Sequence, residues 1–251
     1  MKDYKATIVK NEKIAENIYE ITFDIGEKAK IRCGQFGNIA VCGHLLRRPI
    51  AICKADETTV TFCYQVKGDG TKKMTSLKAG EQTQVLLPLG NGFFVEDNEQ
   101  KVALVGGGVG VFPLISVLRQ YQGEKEISAY IGYRNKGAVV GVDEFEKADK
   151  FVAVTDDGSY GEKMNSVQAF EKDLKAGNIP DVVLACGPTP MLRALKGLCE
   201  RENLNCFVSL EERMGCGFGA CMGCSCKTIT GFKRICKDGP VMKKVEILWE
   251  D

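Results

Sequence analysis

Four cysteines fall within eleven residues in the stretch MGCGFGACMGCSCKT, residues 214–228. Three of them, with a later partner, give Cys216-x4-Cys221-x2-Cys224-x11-Cys236. A Cys-x4-Cys-x2-Cys run followed by a distant fourth cysteine is the plant-type [2Fe–2S] spacing. Two irons need four thiolates brought to one small volume by a loop whose N–H groups point inward at the sulfurs. Gly215, Gly217, Gly219 and Gly223 let the backbone approach that closely. Inward N–H groups also favour the reduced, more negative cluster. KTITGFKRIC reads as a hairpin turning at Gly231, which returns Cys236 to the site. Zinc and structural thiols stay open as alternatives, although a zinc ribbon normally carries two CxxC pairs on separate hairpins. Cys226 is a fifth thiol and reads as a bystander.

A second site is suggested upstream. KVALVGGGVGVFPL is a buried strand, a glycine turn and a helix start, with Gly108-x-Gly110-x-x-Pro113 in place of the usual third glycine. Free N–H groups at such a turn attract anions. By itself the motif is weak, since a tight turn with no ligand reads the same way. ACGPTPM, residues 185–191, is another strand end opening onto a helix, and Thr155, Asp156 and Asp157 end a third strand. Ligands of open parallel sheets bind beyond the carboxyl ends of strands, so together these ends describe a dinucleotide cleft. RRPIAI, residues 47–52, and QVKGDGT, residues 65–71, read alone as wall and loop. Beside a nicotinamide-type cleft and an iron–sulfur loop, a flavin site there supplies the missing electron exchanger.

The elements that position these residues fall into three parts. Residues 1–98 are an all-β run of short alternating strands and charged turns, expected as a small antiparallel barrel. Residues 99–209 alternate strands and helices, as a parallel α/β sheet does. Residues 210–251 form the cysteine-rich segment, closed by ICKDGPVMKKVEILWED as a strand. The fold class is therefore multidomain.

Composition excludes other classes. Lys+Arg is 34 against Asp+Glu 33 in 251 residues, so no basic surface invites a nucleic acid or an anionic membrane. The charged, alternating N-terminus is not a signal peptide, and no apolar run nears the roughly 18 residues of a span. A cytoplasmic protein is expected. Twelve cysteines then favour metal ligation or catalysis over disulfides. The scattered Cys33, Cys42, Cys53, Cys63, Cys199 and Cys206 read as small buried core residues. The single histidine, His44, reads as a loop residue, and no catalytic triad can be assembled. The pair Glu211–Glu212 reads as a turn that abuts the cysteine loop.

RRPIAI, GDGT, GGGVGVFP, ACGPTPM, SLEERMGCGFGACMGC and CKDGPV together resemble the ferredoxin reductase-like family over essentially the whole chain, and within it the electron-transfer subunits of type B dihydroorotate dehydrogenases. The resemblance implies that Arg48, Pro49, Ile50 and Ala51 line FAD, with Arg48 near its pyrophosphate. It implies that Cys63, Tyr64 and Gln65 lie along the flavin, and that Gly70 and Thr71 hold FAD phosphate. Gly106, Gly107, Gly108 and Gly110, with Cys186, Gly187 and Pro188, would cradle NAD. Cys216, Cys221, Cys224 and Cys236 would ligate the cluster. Ala51 departs from the serine common in the family, removing a possible hydrogen bond to the flavin. The implied partner is an FMN-containing dihydroorotate dehydrogenase catalytic subunit, in a heterotetramer with two copies of each chain. Two alternatives remain: the small subunit of an NAD(P)H-dependent ferredoxin or sulfide oxidoreductase or of a hydrogenase, and a zinc-stabilised nucleotide-binding regulatory module.

Overall fold

The computed structural model describes residues 1–249, so Glu250 and Asp251 of the expected closing segment lie outside the described residues. Its first half is built from β1 (Lys2–Ala15), β2 (Ile18–Asp24), β3 (Phe36–Ile39), β4 (Arg48–Ala55), β5 (Thr59–Gln65), the short helix α1 (Asp69–Met74) and β6 (Gln82–Leu89). The six strands close into an antiparallel barrel in the order β1-β2-β5-β4-β3-β6. Period-two alternation sends Ile8, Ile21, Phe23, Ile39, Ile52, Phe62 and Leu87 inside, and these form its core. Closure leaves no free edge, which a lone sheet of this size would expose.

The second half runs β7 (Lys101–Gly107), α2 (Val111–Tyr121), β8 (Glu126–Tyr133), α3 (Val142–Phe145), β9 (Lys150–Thr155), β10 (Glu162–Lys163), α4 (Ser166–Lys175), β11 (Val182–Cys186), α5 (Thr189–Arg201) and β12 (Asn205–Ser209). A hairpin of β13 (Ser225–Thr228) and β14 (Gly231–Arg234), the one-turn α6 (Ile235–Asp238) and β15 (Val241–Lys243) complete the chain. The second sheet has the order β10-β9-β8-β7-β11-β12-β15. All its pairings are parallel except β12 with β15. The central strands are continuously apolar because helices cover both faces. α2 and α3 bury Val111, Leu114, Leu118 and Phe145 on the face toward the barrel, while α4 and α5 bury Phe170, Leu195 and Leu198 on the other.

Several expectations change. The GDGT stretch opens α1 instead of a plain turn. The closing segment is mostly not strand: α6 interrupts it, and β15 covers three residues. Cys236 belongs to α6, so the chain turns tightly there to present the thiol. Cys33, Cys53, Cys63, Cys199 and Cys206 are buried as expected, but Cys42 is exposed. Its strand ends at Ile39, and Cys42 stands in the loop that follows, where Val41 turns inward but Leu45 and Leu46 face solvent with it.

α2 wedges between sheet and barrel, with Cys53, Cys63 and Ile18 of the barrel in the same apolar cluster as Phe112 and Ile115. Ionic contacts frame this seam. Glu144 of α3 meets Lys54 of β4 at 3.1 Å, Lys147 at 2.9 Å and Arg119 of α2 at 3.5 Å. Burial alone would raise the Glu144 carboxyl, but hydrogen bonds from Lys147 and Lys54 outweigh it and hold it down to about 2. The stabilising contribution is complete above the ordinary carboxylate value of 4.5 and disappears as pH falls toward 2. Glu144→Gln should therefore cost about 1–2 kcal/mol at neutral pH, after allowance for solvent screening. The deficit should shrink in melts run at steps below pH 4.5.

Candidate functional site

Three segments border one cavity of about 260 Å³. The barrel contributes Phe36, Pro49, Ile50, Ala51, Cys63, Tyr64, Gln65, Lys67 and Thr71. The ends of β7 and β11 contribute Val109, Gly110, Phe112, Pro113 and Cys186. The chain leaving β12 toward the cysteine loop contributes Ser209 to Glu212 and Met214, and Pro240 arrives from beyond α6. The lining is mainly apolar, with Lys67, Glu211 and Glu212 as its charged members. An apolar cavity with a few polar groups at its rim is what an organic cofactor occupies.

Within the barrel wall, β4 runs antiparallel to β3 with Ala51 opposite Phe36 and Arg48 opposite Ile39. Arg48 folds over α1: a Cβ on Gly70 would lie 1.9 Å from its Nε. Glycine at 70 thus leaves space for the guanidinium, which also donates to the Leu46 carbonyl. The Thr71 hydroxyl donates to the Gly68 carbonyl at 3.0 Å and accepts from the Lys67 N–H at 3.0 Å, fixing the start of α1. Cys63 and Gln65 share one face of β5, while Tyr64 points into the barrel and donates to Asn11 at 3.2 Å. All three border the cavity because it sits over the end of the strand.

The glycine turn divides into packing and open positions. A Cβ on Gly106 would meet Leu114 at 2.9 Å, and one on Gly107 would meet Met191 at 2.8 Å. Those glycines let helix and sheet approach. Gly108 faces open space, and Gly110 lies so near the end of β11 that a Cβ would stand 2.4 Å from the Cys186 carbonyl oxygen. Gly187 and Pro188 then lead into α5. The structure thus brings the two strand ends together at the rim of the cavity. Thr155 turns inward to bond the Tyr160 backbone, and Asp157 accepts from Ser159, so both serve their own loop.

The four cysteines stand as two pairs. Cys216 N–H donates to Cys221 Sγ and Cys221 N–H donates to Cys216 Sγ, each at 3.4 Å. Cys216 Sγ also accepts from Ala220 and Phe218 N–H at 3.3 and 3.5 Å. Across the loop, Cys236 N–H donates to Cys224 Sγ at 3.4 Å. Burial pushes the Cys216 thiol up, but the N–H groups of Cys221, Phe218 and Ala220 prevail and bring it down to about 6. Among the described residues, no three His, Cys, Asp or Glu side chains gather as they would around a single ion. Two pairs of thiols, one already biased toward thiolate by converging N–H groups, fit a two-iron cluster with two sulfur ligands per iron.

The pairs differ in surroundings. Cys221 is exposed and Cys216 half-buried, whereas Cys224 and Cys236 are buried. The buried pair shares an apolar cluster with Phe36 and Leu89, and Phe36 also borders the cavity. The loop therefore has one side toward solvent and one toward the cavity. Phe36 borders the cavity without a signal in the sequence, whereas Lys67 and Phe112 lie within the QVKGDGT and GGGVGVFP stretches but carry no individual signal there. The SLEER stretch had a partial signal, since its position next to the cysteine loop is visible in the chain.

Residues 211–248 match the model of the iron-sulfur cluster binding domain of dihydroorotate dehydrogenase B. A dihydroorotate dehydrogenase B (NAD+) electron transfer subunit of Caldanaerobacter subterraneus is 38% identical over 250 residues, covering 98% of each chain. One from Bacillus pumilus is 39% identical over 262 aligned positions, again covering 98% of each. A chain from an NADH-dependent reduced ferredoxin–NADP oxidoreductase structure superposes with a TM-score of 0.85 at 26% identity, covering 98% of this chain and 90% of that one.

Proposed function

The chain belongs to the family of dihydroorotate dehydrogenase B electron transfer subunits, and from that premise we propose that it passes electrons from a dihydroorotate-oxidising partner to NAD+, through a [2Fe–2S] cluster and FAD held at the convergent site. One observation carries the assignment to these residues: barrel, nucleotide sheet and the segment that enters the cysteine loop all border a single cavity. Flavin, when bound, exchanges hydride with nicotinamide and single electrons with an iron–sulfur cluster, and so joins two-electron to one-electron chemistry.

The chain's own residues supply the arrangement. Arg48 places a cation beside α1, where the FAD pyrophosphate needs one, with Gly70 and Thr71 shaping the turn. Pro49, Ile50, Ala51, Cys63, Tyr64 and Gln65 border the cavity, where they would line FAD and exclude water from it. Ala51 offers no hydroxyl there. Gly108 and Gly110, with Cys186, Gly187 and Pro188, would form the rim that receives NAD, while Gly106 and Gly107 support it from behind by letting helix and sheet approach. Cys216, Cys221, Cys224 and Cys236 would hold the cluster, with Cys221 on the solvent side and Cys224 and Cys236 buried.

The partner meets the loop at Cys221, flanked by Phe218 and Met222, 46% and 52% exposed. That partner is the FMN-containing catalytic subunit, in a complex of two copies of each chain. None of the described helices is long and apolar enough to cross a membrane. Twelve unpaired cysteines suit the reducing cytoplasm.

An anaerobic pull-down from the native extract tests the assignment. The expected catch is an FMN-containing chain that oxidises dihydroorotate, and the reconstituted pair should reduce NAD+ with dihydroorotate as donor. Capture of a hydrogenase or a larger iron–sulfur flavoprotein in its place would move the chain to a different complex.

A further inference from the structure

Asn38 sits in the wall between the cavity and the cysteine loop, and the roles given so far do not require it. It lies on β3 two residues beyond Phe36, on the same face of the strand, and is 1% exposed. Its strand neighbours are Pro49 of β4 and Leu86 of β6. Asn38 Nδ2 donates to the Cys216 carbonyl oxygen at 3.3 Å, while Oδ1 meets no donor. Turning the amide over would only set Oδ1 against that carbonyl oxygen. Gly217, at φ +79°, brings the loop so close that a Cβ there would stand 2.2 Å from Asn38 Nδ2. The amide is thus pressed onto the Cys216–Gly217 peptide.

A buried carbonyl without a donor destabilises a fold, and an apolar side chain of the same shape removes that penalty. For packing alone, leucine would serve better at this position. What leucine lacks is the N–H aimed at Cys216. We propose that Asn38 is a positioning residue for the cluster: its amide pins the Cys216 carbonyl to the barrel, and so fixes the exposed ligand pair relative to the flavin. The proposal rests on the reading of Cys216 as a ligand. β3 is suited to the task because it is bonded on both sides, and it carries Phe36 at the cavity and Asn38 at the loop. Ligands held within a fraction of an ångström depend on such support from behind.

The test uses Asn38→Leu and Asn38→Asp in the full chain loaded with FAD and cluster. With Asn38→Leu, release of iron to a chelator should quicken about fivefold, the equivalent of one hydrogen bond. The electron paramagnetic resonance spectrum of the reduced cluster should broaden, because the Cys216–Cys221 pair would no longer hold one position. FAD content and flavin reduction by NADH should be unchanged, and the cluster-free chain should melt no lower than wild type. Asn38→Asp should release iron faster still and lower the cluster potential, since a carboxylate would face a carbonyl beside an anionic cluster. Wild-type iron release and spectrum in Asn38→Leu would overturn the proposal, as would a lower melting point of the cluster-free chain. A Cys216→Ser chain tests the premise separately: an intact cluster there would remove Cys216 from the ligand set whatever the Asn38 variants show.

Discussion

Cys224→Ser should abolish dihydroorotate-driven NAD+ reduction by the assembled complex while NADH still reduces the bound FAD. Cys224 belongs to the pair on the cavity side, is 2% exposed, and receives the Cys236 N–H. A serine oxygen is a harder, less readily ionised donor than thiolate, so one iron would lose a ligand on the side the electrons must leave by. The fall in partner-linked turnover should exceed the ~10–100-fold that follows loss of a supporting contact. The flavin half of the site should survive, because Arg48, Ala51 and Gln65 belong to strands of a closed barrel whose interior core contains no residue of the cysteine loop. Cys226→Ser is the matching control. Burial raises that thiol, which sits in the β13–β14 hairpin outside both pairs, so its replacement should leave iron content and turnover unchanged. Iron analysis, the visible spectrum and turnover with the partner read both variants. Unimpaired turnover in Cys224→Ser would take the cluster off the electron route.

The contrast between Cys224 and Cys226 shows which kind of information a sequence carries. The spacing of Cys216, Cys221, Cys224 and Cys236 is a local feature of the chain, and the structure brings these four thiols into two pairs with Cys226 outside them. The barrel and the parallel sheet were legible for a similar reason: alternation and continuous apolar runs are local consequences of one-sided and two-sided burial. What connects the parts was not legible. Phe36 borders the cavity and the buried thiols because β3 begins between them, a fact of barrel closure. Asn38 and Cys216 are separated by 178 positions along the chain. The sequence pattern also treated the glycines of the turn alike, whereas Gly106 and Gly107 are taken up by packing against Leu114 and Met191. Cys42 is exposed although its sequence neighbours are apolar, because Val41 takes the inward position and Leu45 and Leu46 share the solvent side of the loop.

Gly110→Ala should cripple electron exchange with nicotinamide, and the reason lies in backbone and not in side chains. Gly110 has ordinary helical dihedrals, φ −65° and ψ −9°, so alanine meets no torsional obstacle. The obstacle is the opposite strand end. The added methyl would stand 2.4 Å from the Cys186 carbonyl oxygen and 2.6 Å from the Gly187 nitrogen. Neither atom can swing aside as a side chain does, because β11 is paired with β7 on one side and β12 on the other. Relief requires the two strand ends to part, and overpacking of this kind costs about 1–3 kcal/mol. The larger effect falls on function. Gly110 and Cys186 both border the cavity, so parting them widens the gap in which nicotinamide and flavin must meet. A misplacement near 1 Å costs about a hundredfold in rate. Stopped-flow reduction of FAD by NADH should slow by that order, while the bound cluster keeps its spectrum. Gly197→Ala, in the interior of α5 with nothing near its Cβ position, should leave flavin reduction untouched and stabilise the helix by up to about 1 kcal/mol. If both alanines behaved alike, the close approach of the β7 and β11 ends would have no part in bringing nicotinamide to the flavin.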